Sequence, residues 1–396
     1  MGIKGLHNLL KSFSDYSDIL EFPELKDIQH SVIRSHLSAF TNDTIAIDFN
    51  NILYRFLRRC KTSNVYILEF INLIDKLQSY NINIIFVFDG LTQLEKQHAI
   101  ANRRYKRAKL DTRITDVLNN TVLSDIDRTT QIEMLNKNNI MITPAHIKEC
   151  KKLFDVLGIP YIYCERIEAD KIFKYLLDNK YADACYSNDT DLIVYGCHTV
   201  LFDFDYIDNT FNCVYYNKLL KFLKLTPTQF IHSCILSGTD YNDHLKYSKL
   251  TNNIMLIKKY YTIENIIACL DDINSNGIDI PDGKPHYVIP ERFNWETTYK
   301  IYTETLSPQT QNDIKIQLNI HLLHTTNIYE NKDTYQEIIE HYLHNNIYIR
   351  GKLEKEEARA NKYIVKYSDI VKLKFNIDIN IHIYYPQYRL LYGYST

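Results

Sequence analysis

The stretch 159–195 constrains the fold of this chain most, because acidic residues follow two short apolar runs within it. The runs IPYIYC and ADACYS are β-branched or aromatic, which predicts buried strands, and the segment between them has helical spacing. Together they predict a βαβ unit, in which the sheet is parallel and ligands bind beyond the carboxyl ends of the strands. Two acidic pairs follow these strands, Glu168/Asp170 and Asp189/Asp191. Four carboxylates at one sheet edge repel one another unless a cation neutralises them, so the stretch predicts a divalent metal site.

The same pattern of a strand ending in an acid occurs earlier in the chain. TIAID predicts a buried strand that ends in Asp48 and precedes a helix over about 51–59, and a helix over 65–79 leads into INIIFVFDG, which ends in Asp89. One buried strand ending in Asp is commonplace, but repetition at successive strand ends favours a shared site. SGTDYND adds Asp240 in a polar turn, although helix capping is the commoner role of such a residue.

A basic segment follows Asp89. EKQHAIANRRYKRAKLDTR, 95–113, has seven basic residues against two acidic ones. Such a run is usually a solvated helix face, but its place beside the acidic edge favours phosphate binding. The basic residues are Lys96, Arg103, Arg104, Lys106, Arg107, Lys109 and Arg113. Residues 114–140 are rich in Asn and Thr with weak periodicity, which predicts a mobile connection.

Composition narrows the class of protein. The formal net charge of −2 gives no global signal for a polyanion partner, so any such signal must be local. Eight scattered cysteines without a CxxC pair predict reduced core thiols of an intracellular protein rather than a zinc site or disulfides. No apolar run is long enough to span a membrane, and MGIKGLHNLL is too polar for a signal peptide. We therefore expect a soluble, intracellular protein without a membrane partner, and a monomer.

Several motifs together resemble one family. They are MGIKGLHNLL, AIDFNNILYRFL, FVFDGLTQLEKQHAIANRRYKR, ITPAHIKECKKLFDVLGIPYI, IEAD, SNDTDLIVYG and SGTDYND. In combination and in order they resemble the flap endonuclease/XPG family of structure-specific 5′ nucleases, over about residues 1–300. The resemblance implies an α/β fold: a PIN-like core with a central, mostly parallel sheet flanked by helices, a helical arch insertion and a C-terminal helical or mixed addition.

The domain boundaries implied by this resemblance divide the chain at about residue 270. Residues 1–270 would form the nuclease core, with an N-terminal block 1–113, an arch and connection over about 95–140, and an internal block 141–270. Residues 271–396 would form a C-terminal addition to which the sequence assigns no role, after a loop predicted over 271–287.

The resemblance also implies roles for individual residues. The metal ligands would be Asp48, Asp89, Glu168, Asp170, Asp189, Asp191 and Asp240. The catalytic bases of the arch would be Lys96 and Arg103. DNA would be contacted by Gly2, Tyr54, Arg104, Lys106 and Arg107, with Tyr54 stacking on an unpaired base unless it is simply a core residue. The implied reaction is hydrolysis of a phosphodiester with two Mg²⁺ ions, for which Mn²⁺ could substitute, and the absence of a His/Cys cluster disfavours zinc.

The sequence departs from the family pattern at four places. Asp170 stands where the family often has Glu, and one residue inserted after Tyr161 leaves Glu165 and Glu168 as alternatives for one acid. LKYSKLTNNI lacks the glycines of the family's potassium and duplex-binding segment, so a K⁺ site does not follow from the resemblance. QYRLLYGY has Gly393 where the family's clamp-binding tail has an aromatic residue, so sliding-clamp binding does not follow either.

Three functions remain open at the level of sequence. The first is a DNA-directed 5′ flap endonuclease or 5′–3′ exonuclease of replication, repair or recombination, acting on flaps, nicks, gaps or ends. The second is a PIN-like ribonuclease, and the third is a non-catalytic DNA-binding relative, whose usual mark is lost acids; none is lost here. High usage of Asn, Ile, Lys and Tyr fits an AT-rich genome such as that of a large DNA virus, which would place the protein in the host cytoplasm rather than a nucleus.

Overall fold

The protein forms two compact units. The computed structural model describes residues 2–14, 31–59, 65–90, 94–120, 122–136, 139–165, 167–276 and 286–325. The first unit comprises Met1–Asn51, Ile85–Lys109 and Ile162–Ile314. The second comprises Ile52–Ile84, Leu110–Tyr161 and Lys315–Thr396. Every candidate site residue of the sequence analysis except Tyr54 belongs to the first unit.

A mixed seven-stranded sheet runs in the order β1-β7-β6-β5-β2-β3-β4. Its strands are β1 (Val32–His36), β2 (Thr44–Asp48), β3 (Asn83–Phe88), β4 (Tyr161–Tyr163), β5 (Ala184–Tyr186), β6 (Thr199–Asp205) and β7 (Thr210–Tyr215). The pairs β2–β5 and β5–β6 are parallel, whereas β7 runs antiparallel to both β6 and β1. Strand β3 is a continuous run of buried Ile, Val and Phe after Asn83, as expected of a strand covered on both faces.

The predicted βαβ unit joins two strands that are not neighbours in the sheet. β4 lies at one edge of the sheet, and β3 and β2 separate it from β5. The strands between them end at Asp48 and just before Asp89, so the wider crossover places all the strand-end acids along one sheet edge.

Helices surround the sheet. Those before β5 are α1 (Leu6–Ser14), α2 (Phe49–Arg59), α3 (Val65–Ser79), α4 (Gln97–Asn119), α5 (Asp125–Asn136), α6 (Pro144–Leu157) and α7 (Ala169–Asp178). Those after it are α8 (Asp191–Val194), α9 (Tyr216–Leu223), α10 (Pro227–Ser237), α11 (Leu250–Tyr260), α12 (Ile263–Ala268), α13 (Leu270–Asn276), α14 (Trp295–Thr303) and α15 (Pro308–Thr325). The prediction of an α/β core with helices flanking a sheet is confirmed.

Local sequence signals explain where several of these helices begin. Thr143 and Thr226 each form a capping box, and each is followed by a proline at the first helical position of α6 or α10. In the second unit α3 and α6 carry aromatic residues that pack edge to face, with ring centroids of Phe70 and Phe154 5.6 Å apart. Tyr66 of α3 also donates a hydrogen bond to Glu149 of α6.

The connection predicted over residues 114–140 is largely helical instead. α4 continues to Asn119, and α5 is capped by Ser124, whose hydroxyl accepts a hydrogen bond from the Asp127 amide at 3.1 Å. Neither α4 nor α5 buries a single side chain. A helix that packs on nothing needs no apolar stripe, so periodicity could not reveal it. Residues 270–276, placed partly in a predicted loop, are also helical, and 277–285 lie outside the described residues.

The cysteines of the described residues are free thiols, and all of them except Cys269 are buried. Within the same part of the chain no helix combines the length and the apolar character needed to cross a bilayer. Cys60, most of the proposed C-terminal addition and the QYRLLYGY segment lie outside the described residues.

Candidate active site

The end of β2 and the end of β3 each hold one acid. Buried Asp48 accepts hydrogen bonds from the Asn51 amide at 2.9 Å and from the Ser187 hydroxyl at 2.7 Å. Exposed Asp89 accepts from the Asn50 side chain at 2.7 Å and from the Ala169 amide at 3.2 Å. Asp89 thereby contacts the first residue of α7, Ala169. This contact brings Glu168, which precedes Ala169, close to the acids at the ends of β2 and β3.

Gly90 permits this close approach. Its amide donates to the carbonyl of Ile167 at 3.1 Å, and a Cβ added to it would lie 2.1 Å from the carbonyl oxygen of Cys164. No side chain fits there, so the chain after β3 can lie against the loop before α7 only with glycine at this position.

Glu168 and Asp170 stand at the start of α7, and both are buried. Lys96 lies between them and the neighbouring acids, with its Nζ 3.0 Å from Glu168 Oε2 and 3.9 Å from Asp170 Oδ2. Glu165, which the family pattern leaves as an alternative to Glu168, is exposed. The structure therefore places Glu168, rather than Glu165, beside the other acids.

Asp189 and Asp191 follow β5, and Asp189 accepts a hydrogen bond from the Asp191 amide at 3.2 Å. The N-terminal segment lies directly against this turn, because the Ile3 amide donates to Thr190 Oγ1 at 2.8 Å. Gly2 has φ +87°, and a Cβ there would lie 2.3 Å from Asp189 Oδ1. The N-terminal signature is thus packed against the acidic turn.

Asp240 completes the set from the loop after α10. It forms an ion pair with Arg103 of α4. The two bases predicted to be catalytic, Lys96 and Arg103, therefore both contact acids predicted to be metal ligands, and the basic segment reaches the acidic edge through them.

Three tyrosines that the sequence analysis did not single out join these acids. The hydroxyl of Tyr241 donates to Glu168 Oε2 and lies 3.1 Å from the hydroxyl of Tyr195. Tyr302 of α14 donates to Asp191 Oδ1 at 3.2 Å. Tyr302 lies far along the chain, beyond residue 300, where no motif pointed to chemistry. Tyr195 and Tyr241 lie within the quoted motifs SNDTDLIVYG and SGTDYND, close to acids, which was the sequence signal for these two.

Burial and mutual repulsion make these carboxylates hard to ionise. Burial, and then the charge of Asp89, raises the pKa of Asp48 to about 7. Burial also raises the pKa of Asp170 and of Asp191 well above the ordinary value, opposed by Lys96. Burial would lower the pKa of Lys96, but Asp170, Glu168 and Asp191 outweigh it and raise that pKa, so the ammonium keeps its proton.

The donor chemistry of the cluster fits a hard cation. Every candidate ligand is a carboxylate, and seven acids face two bases. Glu168 Oε1 is buried and has no hydrogen-bond partner among the described residues, which is costly unless something else contacts it. As the side chains lie, however, no group of three or more His, Cys, Asp or Glu residues in the described ranges could hold a metal ion. The Lys96 ammonium contacts two of these acids, Glu168 and Asp170.

The remaining predicted contacts lie on two helices. Arg104 and Lys106 are exposed on α4, and Arg107 beside them is partly exposed. Tyr54 is partly buried on α2 and belongs to the second unit, so it is described apart from the acidic cluster.

Comparison with known proteins identifies the family. The model of the XPG N-terminal domain matches residues 1–110, and the model of the XPG I-region matches residues 158–240. These two matches contain all seven acids and both bases. Over these two ranges the chain is similar to the flap endonuclease/XPG family.

Individual members of the family are distant from this chain. Flap endonuclease 1 of Enterocytozoon bieneusi is 27% identical over 291 residues, which is 68% of this chain and 74% of that protein. The "Probable RAD2-like endonuclease 369L" of Invertebrate iridescent virus 6 is 25% identical and covers 70% of this chain and 76% of its own length. The catalytic core of Rad2, solved with a DNA substrate, has a TM-score of 0.56 at 17% identity and covers 76% of this chain and 86% of that one. The PIN-like nuclease fold implied by the sequence is therefore confirmed, and the family is one of structure-specific DNA nucleases.

Proposed function

We propose that this protein hydrolyses a DNA phosphodiester bond close to a 5′ end or 5′ flap, with Mg²⁺ bound at the acidic cluster. One observation carries the proposal: of the seven acids, which come from separate segments, three contact Lys96 or Arg103, and the buried Glu168 Oε1 lacks a partner among the described residues. Such an excess of buried carboxylate is destabilising by itself and is explained by a function that needs cations.

The cluster divides into two groups of ligands. Asp48, Asp89, Glu168 and Asp170 would hold one ion, and Asp189, Asp191 and Asp240 a second. Bound there, the ions would activate water and stabilise the leaving oxygen. Mn²⁺ would substitute for Mg²⁺, because both accept oxygen ligands.

Lys96 and Arg103 would act on the scissile phosphate. Both contact acids that would be metal ligands, and a bound ion would neutralise those acids and leave the two cations available. A phosphate then offers them negative charge in place of the carboxylates, and charge stabilisation of this kind is a major contribution to phosphoryl transfer. The cations thus have two alternating partners, the protein's own acids and the substrate.

DNA binding outside the cluster would rest on α4 and the N-terminal segment. Arg104, Lys106 and Arg107 supply exposed positive charge for the phosphate backbone, which gives affinity without sequence specificity. Gly2 packs against Asp189 and so brings the start of the chain to the same place. Tyr54 would stack on an unpaired base.

Cleavage of a substrate panel tests this proposal. The full chain is incubated in Mg²⁺ with end-labelled 5′ flap, gap, nick, blunt duplex and single-stranded DNA, and with a flap of the same sequence made of RNA. We expect cleavage near the 5′ end of the DNA flap to be fastest. Equal or faster cleavage of the RNA flap would instead support the ribonuclease alternative, and DNA binding without any cleavage in Mg²⁺ or Mn²⁺ would support the non-catalytic one.

A further inference from the structure

A cavity of about 520 Å³ lies beside the acidic cluster, and Tyr241 belongs to both. Its walls come from the start of α4, with Glu95, Gln97 and His98, and from the segment leading into α14, with Arg292 and Phe293. We call it the Phe293 cavity. Its volume is in the range of small-molecule binding sites in proteins. None of the roles assigned above uses it.

The shape of the Phe293 cavity is fixed by hydrogen bonds of its walls. The carbonyl of Arg292 accepts from the Asp243 amide at 3.2 Å, and the carbonyl of Asn294 accepts from the Thr298 amide at 3.0 Å and the Thr298 hydroxyl at 2.9 Å. Tyr241 is held by Glu168 and Tyr195. A cavity with such walls exists before any ligand binds, which lowers the cost of binding.

The polar groups that line this cavity are available to a ligand. In the described part of the chain, the side chains of Glu95, Gln97, Glu291 and Arg292 take no hydrogen bond or ion pair with another residue. They offer two carboxylates, an amide and a guanidinium, next to the aromatic rings of Tyr241 and Phe293. The carboxylates would repel a simple anion, and the guanidinium would repel a simple cation. A nucleobase suits both features, since it has a stacking face and an edge with donors and acceptors.

The position of the Phe293 cavity next to the acidic cluster determines which nucleobase of a bound DNA strand would reach it. Lys96, which contacts Glu168 and is proposed to meet the scissile phosphate, lies in the chain between Glu95 and Gln97 of the cavity wall. The hydroxyl of Tyr241 bonds to Glu168 while the rest of its side chain lines the cavity. A strand whose phosphate is held by the cluster therefore has its adjoining nucleotide at the cavity.

We propose that the Phe293 cavity binds the nucleobase of one unpaired nucleotide next to the scissile phosphate. The base would stack against Phe293, and its edge would pair with Arg292 or one of the two carboxylates. This rests on the proposed function and deepens it, because it explains how an unpaired strand is held for cleavage.

The test combines a change in the protein with the matching change in the DNA. Single-turnover kcat/KM is measured for wild type, Phe293→Ala, Phe293→Tyr and Arg292→Gln on an intact 5′ flap and on flaps with one abasic site on either side of the scissile phosphate. Lys300→Gln, an exposed residue of α14 outside the cavity, controls for the charge removed in Arg292→Gln. Melting temperatures identify any variant that is unfolded. If Phe293→Ala is unfolded, Arg292→Gln still tests the cavity, because Arg292 is exposed.

We expect Phe293→Ala and one of the two abasic sites each to lower kcat/KM about tenfold, the scale of base stacking on an aromatic side chain. Combined, they should cost no more than either alone, because both remove the same contact. Phe293→Tyr and Lys300→Gln should stay close to wild type. If wild type cleaves the intact flap but the two losses multiply, or neither abasic site matters, the cavity proposal is overturned and the proposed function stands.

A binding measurement decides the question without cleavage. Trp295 is the single tryptophan of the chain and follows Asn294 of the cavity wall. Titration with a deoxynucleoside 5′-monophosphate should change its fluorescence, and 2-deoxyribose 5-phosphate should not. Phe293→Ala should weaken the nucleotide response at least fivefold. No response in wild type, or an equal response to the sugar phosphate, overturns the cavity proposal, whereas absence of DNA cleavage alone contradicts only the proposed function.

Discussion

At the scale of single residues, the acidic cluster depends on small residues as much as on acids. Gly2 leaves no room for a side chain between the N-terminal segment and Asp189, whereas Gly5 has a similar φ, +88°, but its added Cβ would lie 3.6 Å from Leu250, an ordinary contact. Both positions are strained for other residues, but only one of them borders the cluster.

The two glycines form a matched pair for mutation. Gly2→Ala should displace Asp189 or the N-terminal segment and slow cleavage of a 5′ flap about tenfold or more, because small misplacements at an active site are costly. Gly5→Ala shares the backbone strain without the collision and should cleave much faster than Gly2→Ala. Single-turnover rates and melting temperatures of both variants are the measurement. Equal rates for the two variants would show that contact with Asp189 does not matter.

Asp48 gives a prediction about pH. Its pKa is raised from 3.8 to about 7 in the folded protein. Between these values the folded state binds more protons than the unfolded state, so without metal the free energy of unfolding should fall as pH rises through this window. Asp48→Asn carries no charge to bury and should be more stable than wild type at pH 8 by about 1 to 4 kcal/mol, with little difference at pH 4.

Denaturant unfolding in EDTA at pH 4, 6 and 8 measures this. Adding Mg²⁺ at pH 8 should stabilise wild type more than Asp48→Asn, because the ion offsets the buried charge. If the free energies of unfolding of wild type and Asp48→Asn differed by the same amount at all three pH values, the buried-carboxylate account would be contradicted.

At the scale of elements, α4 is a helix that the fold holds mainly by charge. It buries no side chain, yet Lys96 just before it and Arg103 within it contact acids of the sheet edge. Helices without an apolar face gain little from packing, so these two contacts fix the start of α4. They would also compete with a metal ion bound by the same carboxylates.

Replacing Lys96 should therefore separate metal binding from catalysis. Lys96→Met should bind Mg²⁺ more tightly than wild type, because the competing ammonium is gone, but should cleave about 100-fold more slowly or worse, because the phosphate loses a charge partner. Lys221→Met, on an exposed residue of α9 that has no assigned role, is the control and should alter neither the metal affinity nor the single-turnover rate by much. Calorimetry and single-turnover kinetics measure the two effects. Weaker Mg²⁺ binding by Lys96→Met would contradict competition at this site.

Strongly patterned elements could be predicted from the sequence, and unpatterned ones could not. The helices over 65–79 and 144–157 and the strand of Asp48 follow from apolar spacing and caps, and the structure has them at those positions. α5 was missed because it buries no side chain and so shows no apolar periodicity. The role of Tyr302 in α14 was missed because its contact with Asp191 is long-range in sequence. Local signals report burial and turns, whereas a partner more than 100 residues away leaves no local mark.

At the scale of the whole molecule, the sheet order explains why acids so far apart in sequence meet. The strand-end acids come from strands that are neighbours in the sheet but not in chain order, and the order β5-β2-β3-β4 sets Asp48 and Asp89 between the two pairs that follow β4 and β5. Sequence predicted that the acids share an edge but not this interleaving, because strand order depends on crossover connections that no short motif specifies.

The central claim is that this acidic edge holds the ions that cleave DNA, and Asp189→Asn tests it most directly. Asp183→Asn is the matched control, since Asp183 is exposed at the opposite end of β5, where it accepts a hydrogen bond from the Thr44 amide at 2.8 Å. Cleavage of a 5′ flap in Mg²⁺ and affinity for the same DNA in Ca²⁺ are measured on both variants. The account predicts that Asp189→Asn loses cleavage by about 100-fold or more while keeping or gaining DNA affinity, because one repelling charge is removed, and that Asp183→Asn cleaves like wild type. Near-normal cleavage by Asp189→Asn would contradict the account.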